Sequence, residues 1–251
     1  MTLEVRTVAA TYYDGHHIEP HAHPWGQVIY AAAGAMRVKI GDRLWIVPPA
    51  RAVWAPPGVT HEIHAHGTFT MRTVYLSPRL SASLGDECHG LDVGPLLREL
   101  ILHVVAAGML DGAKADQRRL ISVLIDQLRG THALPLSLRL PADRRARLVA
   151  ERLQQHPADP AELHDLAKRT GASARTLQRL FRSETGMRFG EWRLRLRMLH
   201  AVAHLGTGAS VTAAGEQAGY ATTSAFIAVF RKLLGATPAR YRSGRSASPH
   251  E

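Results

Sequence analysis

Three arginines and one glutamine recur at helical spacing in one short segment, as Arg175, Gln178, Arg179 and Arg182. Positions i, i+3, i+4 and i+7 lie on one face of an α-helix. A guanidinium can bond guanine O6 and N7 together, and a carboxamide can bond adenine N6 and N7. This spacing predicts a helix that reads base edges, with Thr176 completing its DNA-binding set. For a helix standing alone, an ordinary solvated face is the alternative.

The segment belongs to one of two consecutive helix-turn-helix patterns. The first covers residues 161–186 and the second covers residues 210–235. Each pattern has an apolar-rich helix, a glycine for the turn and a Ser or Thr that can cap the next helix. In each, a basic residue stands beside Phe in the second helix. The repeat favours contact with DNA over a merely solvated surface.

The second pattern is poorer in side chains that read bases. Its DNA-facing set is predicted to be Thr223, Ser224, Ile227, Arg231 and Lys232. The two basic residues come late in the helix, where we expect them to meet phosphates. Phosphate contacts position a protein on the duplex without specifying sequence. The first module is therefore expected to be the main reader of sequence.

A helix predicted over Glu191–Leu205 joins the two patterns. Its length is about 22 Å at a rise of about 1.5 Å per residue. Two recognition helices on one face of straight B-DNA lie about 34 Å apart. We therefore predict that both modules engage DNA only when it bends, at a cost of a few kcal/mol.

Positive charge is concentrated in the half of the chain that carries the repeat. The whole chain has 31 Lys and Arg, 21 Asp and Glu, and a net charge of +10. Residues 1–141 hold 13 basic and 12 acidic side chains, whereas residues 142–251 hold 18 and 9. Attraction to phosphate would produce this asymmetry, although a solvated basic surface would also do so.

The first third of the chain alternates short β-rich runs with turn signals, which is typical of a sandwich or barrel. The candidate strands are Leu3–Ala9, Gln27–Ala33, Ala35–Ile40, Leu44–Val47, Ala52–Ala55, His61–His66 and Phe69–Leu76. From Gly94 onward, two helical stripes separated by Gly108–Lys114 predict a helix pair that covers the barrel or forms a dimer interface. Residues 131–141 contain two prolines and are predicted to be the interdomain linker. Residues 243–251 are predicted to be a disordered tail.

Composition predicts a cytoplasmic protein with no membrane partner. The single cysteine, Cys88, cannot form an internal disulfide, which fits a reducing compartment. No apolar run approaches the roughly 20 residues that a membrane span needs. The start of the chain shows no basic region leading into an apolar stretch, which argues against a signal peptide.

Three C-terminal motifs resemble the DNA-binding domain of AraC/XylS-type transcriptional regulators, over about Ala161–Arg242. They read S-x-R-T-L-Q-R-L-F-x-x-E-T-G from Ser173, F-x-x-W-R from Phe189, and G-Y-x-x-x-S-A-F-x-x-x-F-R-x-x-x-G-x-T-P-x-x-Y-R from Gly219. The resemblance implies two modules joined by a long helix and contacting adjacent major grooves. Carried over by position, it implies base reading by Arg175, Gln178 and Arg179, and by Thr223, Ser224, Ile227 and Ala228.

Two N-terminal stretches resemble the sequence motifs of the cupin β-barrel. Residues 21–34 read H-x-H-x3-Q-x6-G, and residues 56–61 read P-x-G-x2-H. The resemblance implies a metal site formed by His21, His23, Gln27 and His61, with Gln27 in place of the usual carboxylate. Neutral imidazole nitrogens are good ligands for first-row divalent metals, so a divalent transition metal is the candidate cofactor.

The same barrel allows two other interpretations. The polar residues could line a pocket for a small organic effector, with walls formed by Trp25, Tyr30, Trp54 and His64. They could also be hydrogen-bonded groups at the mouth of the barrel, without a small-molecule site. The aromatic residues could equally be part of a core.

Together these patterns predict a two-domain α+β protein. A cupin-like β-barrel with a helical pair, for sensing and dimerisation, is predicted over residues 1–130, and an all-α double helix-turn-helix domain over residues 142–242. The expected function is effector-responsive, sequence-specific transcription regulation and not catalysis. Expected partners are double-stranded promoter DNA, a small-molecule effector and a second copy of the chain, with RNA polymerase as a further candidate. The alternatives are a metal-dependent cupin enzyme or metal sensor with a helical appendage, and an architectural DNA binder without sequence preference.

Overall fold

The computed structural model describes residues 3–131 and 136–242. A β-rich half is followed by a helical half. The strands are β1 (Leu3–Tyr12), β2 (His17–His21), β3 (Gly26–Ile40), β4 (Arg43–Val47), β5 (Arg51–Ala55), β6 (His61–Leu76), β7 (His89–Asp92), β8 (Met109–Asp111) and β9 (Ser137–Arg139). The helices are α1 (Pro78–Ser81), α2 (Pro95–Ala107), α3 (Ala115–Arg129), α4 (Arg144–Gln155), α5 (Leu163–Lys168), α6 (Ala174–Thr185), α7 (Phe189–Gly206), α8 (Val211–Gln217), α9 (Thr223–Leu234) and α10 (Pro238–Arg242). Within the described ranges, no helix is both long and apolar enough to cross a membrane.

Two long antiparallel strands, β3 and β6, organise the N-terminal half. They pair with each other, and each then takes different partners along its length. The first part of β3 also pairs with β5, and the last part of β6 also pairs with β1. The strand order of this part of the sheet is β7-β5-β3-β6-β1-β8. The late part of β3 pairs with β4, and the early part of β6 pairs with β2. The α+β fold class predicted from the sequence is confirmed.

Gly34 and Gly67 lie inside these long strands and do not end them, which corrects the prediction of four shorter strands. Both glycines have positive φ, of 72° and 68°, and the β3–β6 register shifts around Gly34. A Cβ at Gly34 would lie only 2.3 Å from the Thr68 carbonyl oxygen. The glycine signal therefore marks a bend where two strands cross closely, and not a turn.

Alternation along the strands creates two opposite faces of the sheet. Inward-facing residues such as Ile29, Met36 and Phe69 form a core between the two parts of the bent sheet. Outward-facing residues of the β5-containing part, including Tyr30 and Trp54, pack against α2 and α3. The helix pair therefore covers the sheet with its buried stripe, which was one of the two roles predicted for it.

Part of the predicted linker belongs to the sheet. Within residues 131–141, β9 pairs with β4, and Leu136 and Leu138 are buried. Pairing with β4 provides hydrogen-bond partners for the backbone N–H and C=O groups of β9. This contact depends on a distant strand, so the sequence of the segment alone does not predict it. Residues 132–135 and the predicted disordered tail, residues 243–251, lie outside the described residues.

The C-terminal half contains the two expected helix-turn-helix units, α5–α6 and α8–α9. Ser173 caps α6 by accepting the Thr176 N–H at 3.1 Å, and Thr222 caps α9 in the same way from Ala225. The turn glycines, Gly171 and Gly219, have φ of 67° and 80°. These are the left-handed conformations that the glycines were predicted to supply.

The helix α7 joins the two units and also contacts the barrel. The Trp192 indole N–H donates to the Arg139 carbonyl oxygen in β9 at 2.8 Å. Apolar residues of β3 and β4, including Ala35, Leu44 and Ile46, belong to the same buried cluster as the helices of the C-terminal half. One core therefore runs across the boundary between the two halves.

Candidate functional site

The exposed face of α6 carries the predicted readers of the first unit. Leu177, Leu180 and Phe181 are buried, which turns the opposite face of the helix outward. The outward residues are Arg175, Gln178, Arg179 and Arg182. None of these four side chains forms a hydrogen bond or ion pair with another residue of the described ranges. Their donors are therefore free for an outside partner.

A broad cleft of about 1270 Å³ lies alongside this face. It runs between α5, α6 and the start of α7, and its walls carry five arginines: Arg175, Arg179, Arg182, Arg188 and Arg193. Thr176 also lines it, although it is half-buried and its hydroxyl lies 2.9 Å from that of Ser173. Thr176 therefore contributes to the helix cap, whatever contact it makes with DNA.

The corresponding face of α9 is less polar. Ser224, Ile227, Arg231 and Lys232 are exposed, whereas the Thr223 hydroxyl lies 3.4 Å from that of Thr212 in α8. Leu233 is 43% exposed, whereas the next residue, Leu234, is buried in the core of the unit. The two basic residues lie in the last turn of α9.

Inside the barrel, three histidines converge, and each has one ring nitrogen fixed by the backbone. The Nδ1 atoms of His21, His23 and His61 lie 2.8, 2.5 and 2.9 Å from the carbonyl oxygens of Glu19, Trp25 and Val59. A carbonyl oxygen only accepts, so each Nδ1 carries the proton. In the neutral rings Nε2 then bears a lone pair. Potential ligand atoms of the three histidines, here called the inner cluster, all lie within 4.8 Å of one another.

Gln27 completes the inner cluster with an oxygen atom. The Thr73 hydroxyl donates to the Val28 carbonyl oxygen, so it can only accept from Gln27. The Gln27 amide NH₂ donates to Thr73 at 2.9 Å and to the Tyr75 hydroxyl at 3.2 Å. Gln27 Oε1 must therefore face the other way, where it lies 3.0 Å from His23 Nε2. Thr73 and Tyr75 were missed at the sequence level because only the β3–β6 register reveals them.

His61 is the most constrained member of the inner cluster. Its side chain is buried, and Nε2 has no hydrogen-bond partner within the described part of the chain. Burial, together with the neighbouring His21 and His23, lowers the pKa of His61 to about 4. His61 is therefore neutral near pH 7, and its buried Nε2 carries a lone pair that no described residue uses.

The inner cluster fits a divalent metal ion. His23 Nε2 and Gln27 Oε1 lie 3.0 Å apart, a separation that two ligand atoms of one metal ion can adopt. Histidines that bind a metal ion commonly donate their other ring N–H to a backbone carbonyl oxygen, as these three histidines do. The structure thus brings together all four residues of the predicted metal set: His21, His23, Gln27 and His61.

The four residues of the predicted effector pocket do not line one cavity. Tyr30 and Trp54 pack into the core beneath α2 and α3, and the Trp54 indole N–H donates to the Gly85 carbonyl oxygen. Trp25 lies under the Arg6 guanidinium, 4.4 Å from its ring centre. His64 contacts Glu62 on the outer face of β6. Tyr30, Trp54 and His64 all face outward, but the first two lie beneath the helix pair, whereas His64 lies where β6 pairs with β2.

Each half of the chain matches a known family of protein domains. Residues 5–134 match the AraC-like ligand binding domain, and residues 166–244 match a helix-turn-helix domain. The HTH-type transcriptional regulator NimR of Escherichia coli is 34% identical over 221 residues, which are 88% of this chain and 81% of that protein. The chain belongs to the AraC family of transcriptional regulators.

Other AraC-family proteins are similar over much of the chain. The HTH-type transcriptional regulator RipA of Corynebacterium diphtheriae is 36% identical over 220 residues, covering 87% of this chain and 61% of that protein. The crystal structure of ToxT from Vibrio cholerae with a bound unsaturated fatty acid aligns with 99% of this chain and 98% of its own, at 11% identity and a TM-score of 0.40. By the matches of residues 5–134 and 166–244, the N-terminal half of this AraC-family regulator is a ligand-binding domain and its C-terminal half is a DNA-binding domain.

Proposed function

We propose that this regulator reads double-stranded promoter DNA mainly with α6. The observation that carries the proposal is the outward face of α6, whose arginines and glutamine have no partner in the described part of the chain. The proposed contacts of the first unit are Arg175, Thr176, Gln178, Arg179 and Arg182. Charged donors that are free and held on a capped helix can approach base edges without first breaking internal bonds.

The second unit is proposed to anchor the protein more than to read sequence. Its proposed contacts are Thr223, Ser224, Ile227, Arg231 and Lys232. Ile227 can contact only an apolar group such as a thymine methyl, whereas the two basic residues suit phosphates. Affinity would then come from both units, and most of the sequence preference from the first.

We further propose that the barrel responds to a divalent transition metal ion. The ligands would be His21, His23, Gln27 and His61, which come from β2, the β2–β3 loop, β3 and β6. Binding would tie these segments together and so favour one arrangement of the barrel over others. Gln27 supplies a neutral amide where a carboxylate would add charge, which suits reversible binding in a regulator better than metal-assisted catalysis.

The proposed working form is a homodimer in the cytoplasm. Exposed apolar side chains, Leu96, Met109 and Val123, lie on α2, β8 and α3, which contact one another on one side of the barrel. A second copy of the chain could cover them. RNA polymerase remains a candidate partner once the regulator is on a promoter.

The reading role of α6 is tested by Arg179→Ala on a set of operator variants that differ at single base pairs. We expect the variant to lose about 1–3 kcal/mol of binding free energy on the best operator and to discriminate less at one base position. Quantitative gel shifts at fixed salt measure both effects. Equal weakening on every operator variant would remove Arg179 from the base-reading set.

Lys232→Ala is the matched control for a phosphate contact. It should weaken binding to all operators alike and reduce the slope of log affinity against log salt by about one unit. A change in base preference for this variant would contradict the division of roles between α6 and α9.

The metal proposal is tested by thermal unfolding of chelator-treated protein with added Zn²⁺, Ni²⁺ or Mn²⁺. A metal that binds only the folded state raises the midpoint of unfolding. We expect such a rise in the wild type, a much smaller rise in His21→Ala, and tighter binding in Gln27→Glu because a carboxylate adds charge. His21 is only half-buried, so its removal should leave the fold intact. An equal rise in His21→Ala and the wild type would refute the inner cluster as a metal site.

A further inference from the structure

A second group of metal-ligating side chains lies on the opposite face of the same strands. His17 pairs with His64 across β2 and β6, and Glu62 is two residues before His64 on the same face. Ile18 and Ile63, the next pair, turn inward and pack against the inner core. His17, Glu62 and His64, here called the outer cluster, therefore face away from the inner cluster. The predicted metal site does not include them.

The outer cluster already has the spacing of a coordination shell. Glu62 Oε2 lies 3.0 Å from His17 Nε2 and 3.4 Å from His64 Nε2. Ligand atoms about 2.0–2.1 Å from a tetrahedral zinc ion are about 3.3 Å apart. The two imidazole rings stack with centres 4.0 Å apart and planes inclined by 13°. Three ligand atoms could therefore reach one ion with small side-chain adjustments.

Neighbouring charges hold these ligands in place. Lys39 Nζ donates to the other oxygen of Glu62 at 2.7 Å, and His17 Nδ1 lies 3.2 Å from a Glu19 carboxylate oxygen. The contact with Lys39 fixes one carboxylate oxygen of Glu62 and leaves Oε2 directed toward the two imidazole rings.

The outer cluster is also accessible from solvent. The side chains of His17, Glu62 and His64 are 30%, 12% and 40% exposed. Two histidines and one glutamate leave at least one coordination position of a zinc-like ion for water or another ligand. Arg37, opposite His64 in the β3–β6 register, lies near His204 of α7, whose pKa falls through burial and then through the charge of Arg37. An ion here would therefore add positive charge beside the contact between barrel and α7.

We propose that His17, Glu62 and His64 form a second metal site on the outer face of the barrel. This site binds Zn²⁺ or a similar first-row divalent ion, independently of the inner cluster. The ion would be held by two imidazole nitrogens and one carboxylate oxygen. Lys39 and Glu19 would position the ligands without binding the ion.

The test counts metal ions bound to the full chain. Chelator-treated protein is dialysed against Zn²⁺ at a fixed free concentration, and bound zinc is measured by mass spectrometry. We expect Glu62→Gln and His64→Ala each to bind one ion fewer than the wild type. His21→Ala should also lose one ion, and the Glu62→Gln/His21→Ala double variant should lose two. His103→Ala, which removes an exposed histidine from α2, should bind as many ions as the wild type.

Three results would overturn the proposal. The first is full wild-type zinc content in both Glu62→Gln and His64→Ala. The second is a double variant that loses no more zinc than His21→Ala alone, since one shared site would then explain all binding. The third is a wild type that binds no zinc. If only Glu62→Gln lowers the zinc content and His21→Ala does not, the outer site stands and the proposal for the inner cluster fails. Glu62→Gln preserves side-chain shape, so it remains informative if His64→Ala folds poorly.

Discussion

Gly215 shows how a single missing side chain allows two helices to approach. It lies inside α8, where glycine weakens an isolated helix by roughly 1 kcal/mol relative to alanine. A Cβ at this position would lie 3.0 Å from the ring of Phe226, which is fully buried in α9. The close packing of the second unit therefore explains a residue that helix propensity alone disfavours.

Gly215→Ala is expected to destabilise the protein, opposite to the effect that helix propensity predicts. Overpacking of a buried contact costs about 1–3 kcal/mol, which exceeds the gain in helix propensity. Gly190→Ala is the matched control, because it is also in a helix and a Cβ there would meet no atom within 4 Å. The control should be neutral or stabilising by about 0.4–1 kcal/mol. Chemical denaturation measures both, and a stabilised Gly215→Ala would show that Phe226 moves freely.

At the same scale, sequence motifs identified the inner cluster but not its surroundings. His21, His23 and His61 were found because their spacing follows a known pattern. The orientation of Gln27 and the meeting of His17 with Glu62 depend on strand register, which a single sequence does not determine. The places of Trp54 and His64 depend on register as well: Trp54 on β5 packs beneath the helix pair, and His64 on β6 lies opposite β2.

Among the helices, α7 differs from its prediction in burial more than in length. The sequence predicts a helix over Glu191–Leu205, and the observed helix begins at Phe189, ends at Gly206 and is buried on several sides. Both helix-turn-helix units and the barrel pack around it. A helix contacted from several directions has no single hydrophobic face, so periodicity underestimates its burial. By contrast, α6 and α9 were placed well because their caps and turn glycines are local signals.

The length of α7 limits how both units can sit on DNA. Its 18 residues span about 27 Å, still less than the 34 Å or so between recognition sites on straight B-DNA. We expect operator DNA to bend when both units bind, as measured by the mobility of circularly permuted fragments. The double variant Arg231→Ala/Lys232→Ala should reduce the bend, whereas Arg118→Ala/Arg119→Ala on α3 should not. Unbent DNA with both half-sites protected would refute this expectation.

For the whole molecule, the decisive feature is the core shared by the two domains. The sequence correctly predicts a β-rich half followed by a helical half, because the helix-turn-helix repeat and the excess of basic residues both lie after residue 141. It does not reveal that β9 and α7 join the halves through Arg139 and Trp192. Contacts between domains depend on surfaces that form only after each part folds, so local patterns carry little information about them. The shared core offers a path by which a change in the barrel can reach the DNA-binding units.

Gly206 is the position at which this coupling can be tested. A Cβ there would lie 3.1 Å from both Pro48 and Pro49 on the barrel, so α7 meets the barrel through a gap that only glycine leaves. Because of the shared core, we expect the wild type to unfold in a single calorimetric transition. Gly206→Leu should force the surfaces apart at a cost of about 1–3 kcal/mol and split unfolding into two transitions.

Ala106→Leu is the control for Gly206→Leu, since it adds a leucine at an exposed position of α2 and should leave one transition. Two transitions already present in the wild type would show that the domains unfold independently. A single transition in Gly206→Leu, at an unchanged midpoint, would show that the contact at Gly206 contributes nothing to cooperativity. Either result would mean that signals from the barrel reach α6 and α9 by another route, such as a change in how two copies of the chain associate.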